Sequence, residues 1–311
     1  MGRSSEPVPG GALAQPRAVV VGGRAYARRD KYLRFIAPAL VLILAVVIFP
    51  WLFTLYMSVH DWQVAQSQAF VGLDNYYKLT HDERFLSSIV RTLYYTILAV
   101  VLPVILGTLA ALIFHQRFPL RGLLRGIFIM PMMATPVAVA LVWTMMFHPQ
   151  LGVLNYLLSL VGIPPQLWVY AQDTVIPSLV AVEVWHWTPL VMLIVMGGLA
   201  VLPTEPYEAA RIDGASGWQV FRHITFPLVL PFLMVAVVIR AIDSLKAFDT
   251  IFVITQGGPG TASETINIYL YLQAFAFYKI GYASAVVVVF FVIVVAFSLL
   301  LLYVRQRTLW T

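Results

Sequence analysis

Four ionisable residues fall inside one otherwise apolar run: Arg240, Asp243, Lys246 and Asp249. A charged side chain in hydrocarbon costs about 2.5–3.5 kcal/mol or more unless it is paired or hydrated. The four alternate in sign and recur every third residue, so on a helix each has an opposite charge one turn away. Two chemistries fit that spacing, a structural ladder of ion pairs or the polar lining of a water-filled cavity. Glu183 is a fifth such group in a second apolar run, suited either to pairing with a partner subunit or to contacting a solute.

Other chemistries are missing. The chain has no cysteine, hence no disulfide, thiolate metal site or cysteine nucleophile. It contains no Gly-Lys dipeptide, so it has no phosphate-binding loop of the G-x-x-x-x-G-K-[ST] kind. The six histidines never fall four residues apart, and no Asp-rich pair at helical spacing suggests magnesium–diphosphate binding. No cofactor or metal is expected on this chain.

The elements that must position these charges are membrane spans. Of the 311 residues 60% are hydrophobic and only 11% charged, with a mean hydropathy of +0.85, where soluble domains carry about 25% charged residues. No stretch is polar enough for a large aqueous domain. A span needs about 20 apolar residues, and six segments qualify, at about 35–57, 93–114, 127–147, 175–199, 228–252 and 282–304. The expected fold is therefore an all-α membrane protein, with a cytoplasmic basic tail at 1–34, a six-helix domain over 35–304 and a short cytoplasmic tail at 305–311. The segment 35–57 is too long for a cleaved secretory signal, and Pro38 and Pro50 are tolerable within it.

Charge sets the orientation. With six spans both termini share a side, and placing that side in the cytoplasm puts 14 of the 20 basic residues inside and three, Lys78, Arg84 and Lys279, outside. This positive-inside bias accounts for the formal charge of +6 without a nucleic-acid partner. In this frame Arg240 lies near mid-membrane, and Asp243, Lys246 and Asp249 lie toward the outer side.

The loop 200–227 carries more pattern than a connector needs. Pro203 and Thr204 can start a short helix with Glu205 and Glu208 in its first turns, Gly214 permits a break, Ser216 can cap a second short helix, and Pro227 opens the fifth span. Two short helices meeting at a small residue form an elbow. With Ala209, Ala210 and Ala215 as low-profile surfaces it suits docking, and an interfacial hairpin lying in the headgroups is the alternative.

The same loop resembles the cytoplasmic signature of permease subunits of binding-protein-dependent ABC importers: Glu-Ala-Ala, two residues, Asp-Gly-Ala, eight residues, Ile, one residue, Leu-Pro. The matches are Glu208-Ala209-Ala210, Asp213-Gly214-Ala215, Ile224 and Pro227, with Phe226 where leucine is usual. Similarity extends to Asp74-Asn75-Tyr76, to Pro131 through Trp143 and Gly152-Val-Leu-Asn155, to Trp185 and Pro189, and to Phe248-Asp249, Thr255-Gln-Gly257-Gly258-Pro259 and Gly281-Tyr282-Ala283. It covers nearly the whole chain after residue 35 and is closest to the carbohydrate-uptake branch.

The resemblance implies a type I importer permease in a bacterial cytoplasmic (inner) membrane. Its partners would be a second, related permease, two ATPase subunits that hold ATP and magnesium, and a periplasmic or lipid-anchored solute-binding protein. Glu208, Ala209, Ala210, Arg211, Asp213, Gly214, Ala215, Ile224 and Pro227 would form the ATPase-coupling elbow. Glu183, Trp185, Trp187, Arg240, Asp243, Lys246, Phe248 and Asp249 are candidates for the translocation pathway, the rings stacking on the C–H faces of a sugar. Trp143 and the tyrosines near span ends suit interfacial anchoring or packing. Gly257, Gly258 and Pro259 are either a tight turn or a mouth facing the binding protein, to which the segment 61–85 could contribute. An ion-coupled secondary transporter using the span-five charges, or a membrane-embedded enzyme, are the alternative readings.

Overall fold

The computed structural model describes residues 25–63 and 67–309. The expected basic tail lies outside the described residues up to position 24, as do positions 310 and 311; from Ala25 the chain is already helical. The chain divides into two units, 1–53 and 54–311. Helix α1 (Ala25–Ser58) supplies the described part of the first. Its side chains from Phe35 to Pro50 are all exposed, and an apolar surface all round a helix requires lipid or other protein around it.

The second unit contains α2 (Asp74–His81), α3 (Glu83–His115), α4 (Arg121–Ile129), α5 (Pro136–Met146), α6 (Val153–Leu160) and α7 (Val175–Leu199). It continues with α8 (Glu205–Ile212), α9 (Gly217–Val220), α10 (Phe226–Leu245), α11 (Asp249–Thr255), α12 (Ile266–Tyr271) and α13 (Ile280–Leu309). Among the described residues the only sheet is β1 (His60–Asp61) paired antiparallel with β2 (Ala69–Phe70).

Among the described residues five segments are long and apolar enough to cross a membrane: Phe35–Ser58, Glu83–His115, Val175–Leu199, Gly217–Leu245 and Ile280–Gln306. The third expected span, 127–147, is a bent pair, Arg121–Met133 and Pro136–Met146, meeting at 98°. The residue before a proline avoids the helical region, and both Ala134 and Thr135, ahead of Pro136, are extended. The bend is held by His186 on α7, which donates to the Ala134 carbonyl at 3.2 Å.

Two other spans differ from expectation in their limits. Helix α3 starts at Glu83, where the Asp82 side chain accepts the N–H groups of Arg84 and Phe85 at 2.9 and 3.1 Å. Its 33 residues extend about 50 Å, well beyond a hydrocarbon core of about 30 Å. The fifth span begins earlier and ends earlier than 228–252, because α9 runs through a wider turn, Phe221–Thr225, into α10, and α10 stops at Leu245.

Helices α3, α7 and α10 form the centre of the unit. Close approach is bought by glycine: a Cβ at Gly107 would sit 2.7 Å from the Val191 Cβ, and one at Gly198 would sit 2.5 Å from the Phe232 ring. Apolar clusters fill the interfaces, one around Ala111, Val191, Val195 and Leu233, another around Leu79, Phe85, Ile266 and Val286. The motif residues near α13 are part of this scaffold. Asn75 donates to the carbonyls of Ser58 and His60 at 2.9 and 3.0 Å, and Gly281 leaves no room for a Cβ against the His60 carbonyl.

Gly107→Leu overpacks the α3–α7 seam and should destabilise the protein by about 1–3 kcal/mol. Gly126→Ala, which meets nothing within 4 Å, should leave stability unchanged or slightly raised. Thermal unfolding of the detergent-solubilised protein separates the two.

Candidate functional site

The elbow is a built structure. Helix α8 ends at Asp213, and Gly214 takes the left-handed conformation (φ +70°). The N–H of Gly214 donates to the Arg211 carbonyl at 3.2 Å and that of Ala215 to the Ala210 carbonyl at 2.9 Å. This is a Schellman C-cap, in which glycine occupies the left-handed position and the next residue packs back on the helix. The Asp-Gly-Ala spacing is therefore a helix stop. Ser216 then opens α9 with a reciprocal capping box: its N–H donates to the Gln219 side chain at 2.7 Å and its hydroxyl accepts the Gln219 N–H at 3.4 Å.

Around this stop Glu208, Ala209, Arg211, Asp213 and Gly214 are exposed, Ala215 and Ile224 are half-buried, Ala210 is buried and Pro227 is exposed at the start of α10. Ile212, at 87% exposure, and Trp218, at 67%, stand out as apolar side chains on the elbow. The Tyr207 hydroxyl donates to the Thr225 hydroxyl at 3.3 Å and ties α8 to the wider turn.

At the other end of α10 the charges are arranged differently from a ladder. Arg240 is fully buried and reaches across to α7, where it donates to Glu183 at 2.5 Å. Ser244 accepts from the same nitrogen at 3.0 Å, and the Trp187 ring lies 4.9 Å from the guanidinium carbon. Glu183 and Trp187 are one turn apart on α7 and so share a face. Asp243 approaches the other guanidinium nitrogen at 3.5 Å from a side chain 50% exposed. The Arg240 Nε and Nη1 atoms have no hydrogen-bond partner among the described residues.

The remaining ladder members are separated by the chain break after Leu245. Lys246 and Asp249 are exposed and make no ion pair among the described residues. Glu183 pairs with Arg240 of its own chain. Trp185 does not join this group. It packs edge-on against Trp143 at 5.7 Å and faces an apolar groove between α3 and α7. Phe248 belongs to an aromatic cluster with Phe252 at 5.1 Å and Tyr271 at 5.2 Å, extended by Phe275 against Tyr271 at 5.1 Å. Phe252, Tyr271, Phe275 and Asn267, which donates to the Lys246 carbonyl at 2.6 Å, were not singled out by sequence. Two pairs of aromatic residues at i, i+4 spacing, Phe248 with Phe252 and Tyr271 with Phe275, were the available signal.

The Gly257-Gly258-Pro259 loop is a tied turn. The Ser263 hydroxyl donates to the Gly258 carbonyl at 2.6 Å, Gly258 N–H donates to the Thr255 carbonyl at 2.8 Å, and Gly257 has φ +93°. The nearby Thr261 hydroxyl accepts from Arg91 at 3.2 Å. Next to this turn Glu264 receives a two-pronged bond from Arg84 at 2.8 and 2.6 Å, and Asp82 accepts the hydroxyls of Tyr269 and Tyr282 at 2.6 and 2.8 Å. Burial pushes the Asp82 carboxyl up, but the bonds from Tyr269, Phe85 N–H, Tyr282 and Arg84 N–H together outweigh it and hold it below its ordinary value. Among the described residues no three His, Asp or Glu side chains come together in a way that could hold a metal ion.

Residues 103–310 match the family described as binding-protein-dependent transport system inner membrane component. The trehalose/maltose transport system permease protein of Thermococcus litoralis is 37% identical, with 79% of this chain and 82% of that protein covered. The trehalose transport system permease protein of Mycobacterium tuberculosis is 32% identical, over 86% of this chain and 85% of its own length. In fold, the chain is similar to a subunit of a bacterial alginate ABC transporter crystallised with an alginate pentasaccharide-bound periplasmic protein. The TM-score is 0.79 at 22% identity, covering 92% of this chain and 98% of that one.

Removing one partner of a buried pair leaves an uncompensated charge, so Glu183→Ala should destabilise by about 3–5 kcal/mol. Asp243→Asn, on an exposed partner, should cost no more than about 1 kcal/mol. Denaturant titration in detergent compares them. The lowered Asp82 carboxyl predicts a stabilising contribution that is complete above about pH 4 and is lost as pH falls through the depressed folded value. Unfolding measured against pH should show that slope in the parent protein and lack it in Asp82→Asn.

Proposed function

The chain belongs to the family of binding-protein-dependent transport system inner membrane components, and we propose that it is one permease subunit of an ATP-driven importer for a sugar or sugar-like solute. It spans the inner membrane several times, as that family does. In this reading both termini and the elbow are cytoplasmic, and the charge bias of the loops supports that orientation. A second permease completes the pore. Two ATPase subunits bind ATP and magnesium and do the hydrolysis, and this chain is not catalytic.

The observation that carries the proposal is the mechanical continuity from the elbow to the buried ion pair. The Glu208–Ala215 stretch, with exposed Ile212, seats in an ATPase groove; Glu208, Arg211 and Asp213 shape it or pair across it, while Ala209, Ala210 and Gly214 allow close approach. Ile224 and Pro227 lie on the path into α10, which runs to Arg240 without an intervening loop. ATP-driven closure of the ATPases therefore moves α10, and with it α7 through Glu183. The two relatives, both permeases of trehalose or maltose transport systems, support a sugar as solute. The exposed groups Asp243, Lys246 and Asp249, and the Phe248 cluster, offer hydroxyl partners and ring faces for it. The tied turn at Gly257-Gly258-Pro259 and the segment 61–85 form the surface on which an external binding protein delivers solute.

Reconstitution with the second permease, the ATPases and the binding protein should give uptake that requires both ATP and the binding protein. Uptake on an ion gradient alone would overturn the reading in favour of a secondary transporter. Gly214→Val must place a branched residue at a left-handed position that strains it by about 1–2 kcal/mol, with nothing near its Cβ to clash. Its transport and ATPase association should fall by about tenfold. Unchanged values would remove the elbow from the coupling path.

A further inference from the structure

The end of the helical unit opposite Asp82 carries a feature that solute transport does not use. His115 closes α3, Arg117 follows in the connector, and Arg121 and Arg125 lie one turn apart on α4. Together they line a cavity of about 510 Å³ with Gly197 of α7 and Ala200 just after it. Arg121 and Arg125 are half-buried, and none of the three guanidiniums makes a hydrogen bond or ion pair among the described residues. Two half-buried arginines beside apolar helices, with the exposed Arg117 next to them, favour a bound anion, because a guanidinium partly removed from water without a counter-charge is costly.

The cavity does not stand alone. An open apolar groove of about 870 Å³ lies between α3, α4 and α7, walled by Leu102, Leu109 and Ile113 on α3 and by Ala181, Val184 and Thr188 on α7. Along α7 the groove residues Trp185 and Pro189 lead by steps of four residues to the cavity residues Leu193 and Gly197, so groove and cavity adjoin along one winding row of the helix. On α3 the groove runs from Leu98 to Ile113, about 22 Å and ending two residues before His115, enough to span the roughly 15 Å of hydrocarbon in one leaflet. An apolar channel long enough for one leaflet that ends in a basic pocket has the dimensions and the polarity of an anionic lipid.

We propose that this pocket holds the phosphate of an anionic glycerophospholipid of the cytoplasmic leaflet, with its acyl chains along the α3–α7 groove. Arginine suits the task because its planar fork pairs with phosphate oxygens through two bonds at once. Bound there, the lipid would fill the angle between the bent third span and α7 and so brace the helix that carries Glu183. The side of the membrane rests on the orientation proposed above; lipid binding itself does not rest on transport.

The test is native mass spectrometry of the assembled transporter, both permeases and both ATPases, released from detergent after incubation with phosphatidylglycerol, phosphatidylcholine or inorganic phosphate. The parent complex should retain phosphatidylglycerol over phosphatidylcholine, and Arg117→Gln/Arg121→Gln/Arg125→Gln should lower that retention by about tenfold or more. A second variant, Arg28→Gln/Arg29→Gln/Lys31→Gln, removes the same charge elsewhere and should keep it. Equal retention of the two lipids, equal loss in both variants, or displacement of the lipid by inorganic phosphate would each overturn the proposal, the last by pointing to a free-anion site. Absence of any retained lipid would also overturn it. Because lipid retention is read without uptake, a failed import assay leaves this result standing, and the converse holds as well.

Discussion

A guanidinium cannot stay in a low-dielectric interior without a counter-charge, and Arg240 is fully buried. That single requirement ties α10 to α7. Glu183 must face Arg240, Trp187 one turn on must lie beneath the cation, and Ser244 one turn along α10 must accept from it. The rest of the seam follows the same register, with Gly198 giving way to the Phe232 ring. Burying both charges brings little net stability, but separating them is expensive, so the two helices hold one relative position or move together.

What makes this constraint useful is the rigidity on the other side of Arg240. The Schellman stop at Gly214 and the capping box at Ser216 leave the elbow few alternative shapes. From Gly217 the chain winds through one wide turn into α10 without an intervening loop, about 35 Å to Arg240. The wide turn sits where Pro227 lacks the N–H that an ordinary helix would need. In the proposed importer, displacement of the elbow therefore reaches mid-membrane along a strut, and the ion pair passes it to α7, whose His186 holds the bend of the third span at Ala134.

Much of this was legible in residue types. Apolar runs located the helices, and Val175–Leu199 has the limits that hydropathy alone sets. The elbow could be read because capping chemistry is local: a glycine stop, a serine cap and a proline start depend only on neighbours. The buried pair was not read, because its partners are 57 positions apart and the competing i, i+3 pattern within one segment looked sufficient. Helix ends decide that competition. Once α10 stops at Leu245, Lys246 and Asp249 leave the helical face that the spacing assumed. Trp185 misled for a similar reason, since proximity to Glu183 in sequence placed it two residues away, on the other face of α7. The 98° bend was signalled by Pro131 and Pro136, yet prolines are tolerated in spans such as α1, and only the extended Ala134 and Thr135 distinguish a break from a kink.

The central claim is that elbow, α10 and α7 form one mechanical body through Glu183 and Arg240. The chain has no cysteine, so two can be introduced for spin labels without background from this chain, one in place of the exposed Trp218 on the elbow and one in place of the exposed Asp173 just before α7. The most direct test is the distance between these labels in the assembled transporter, by electron–electron double resonance, before and after ATP is added with the binding protein present. The account predicts one distance that does not change while uptake proceeds. A distance that lengthens or splits on ATP addition would show the elbow moving independently of α7 and would contradict it.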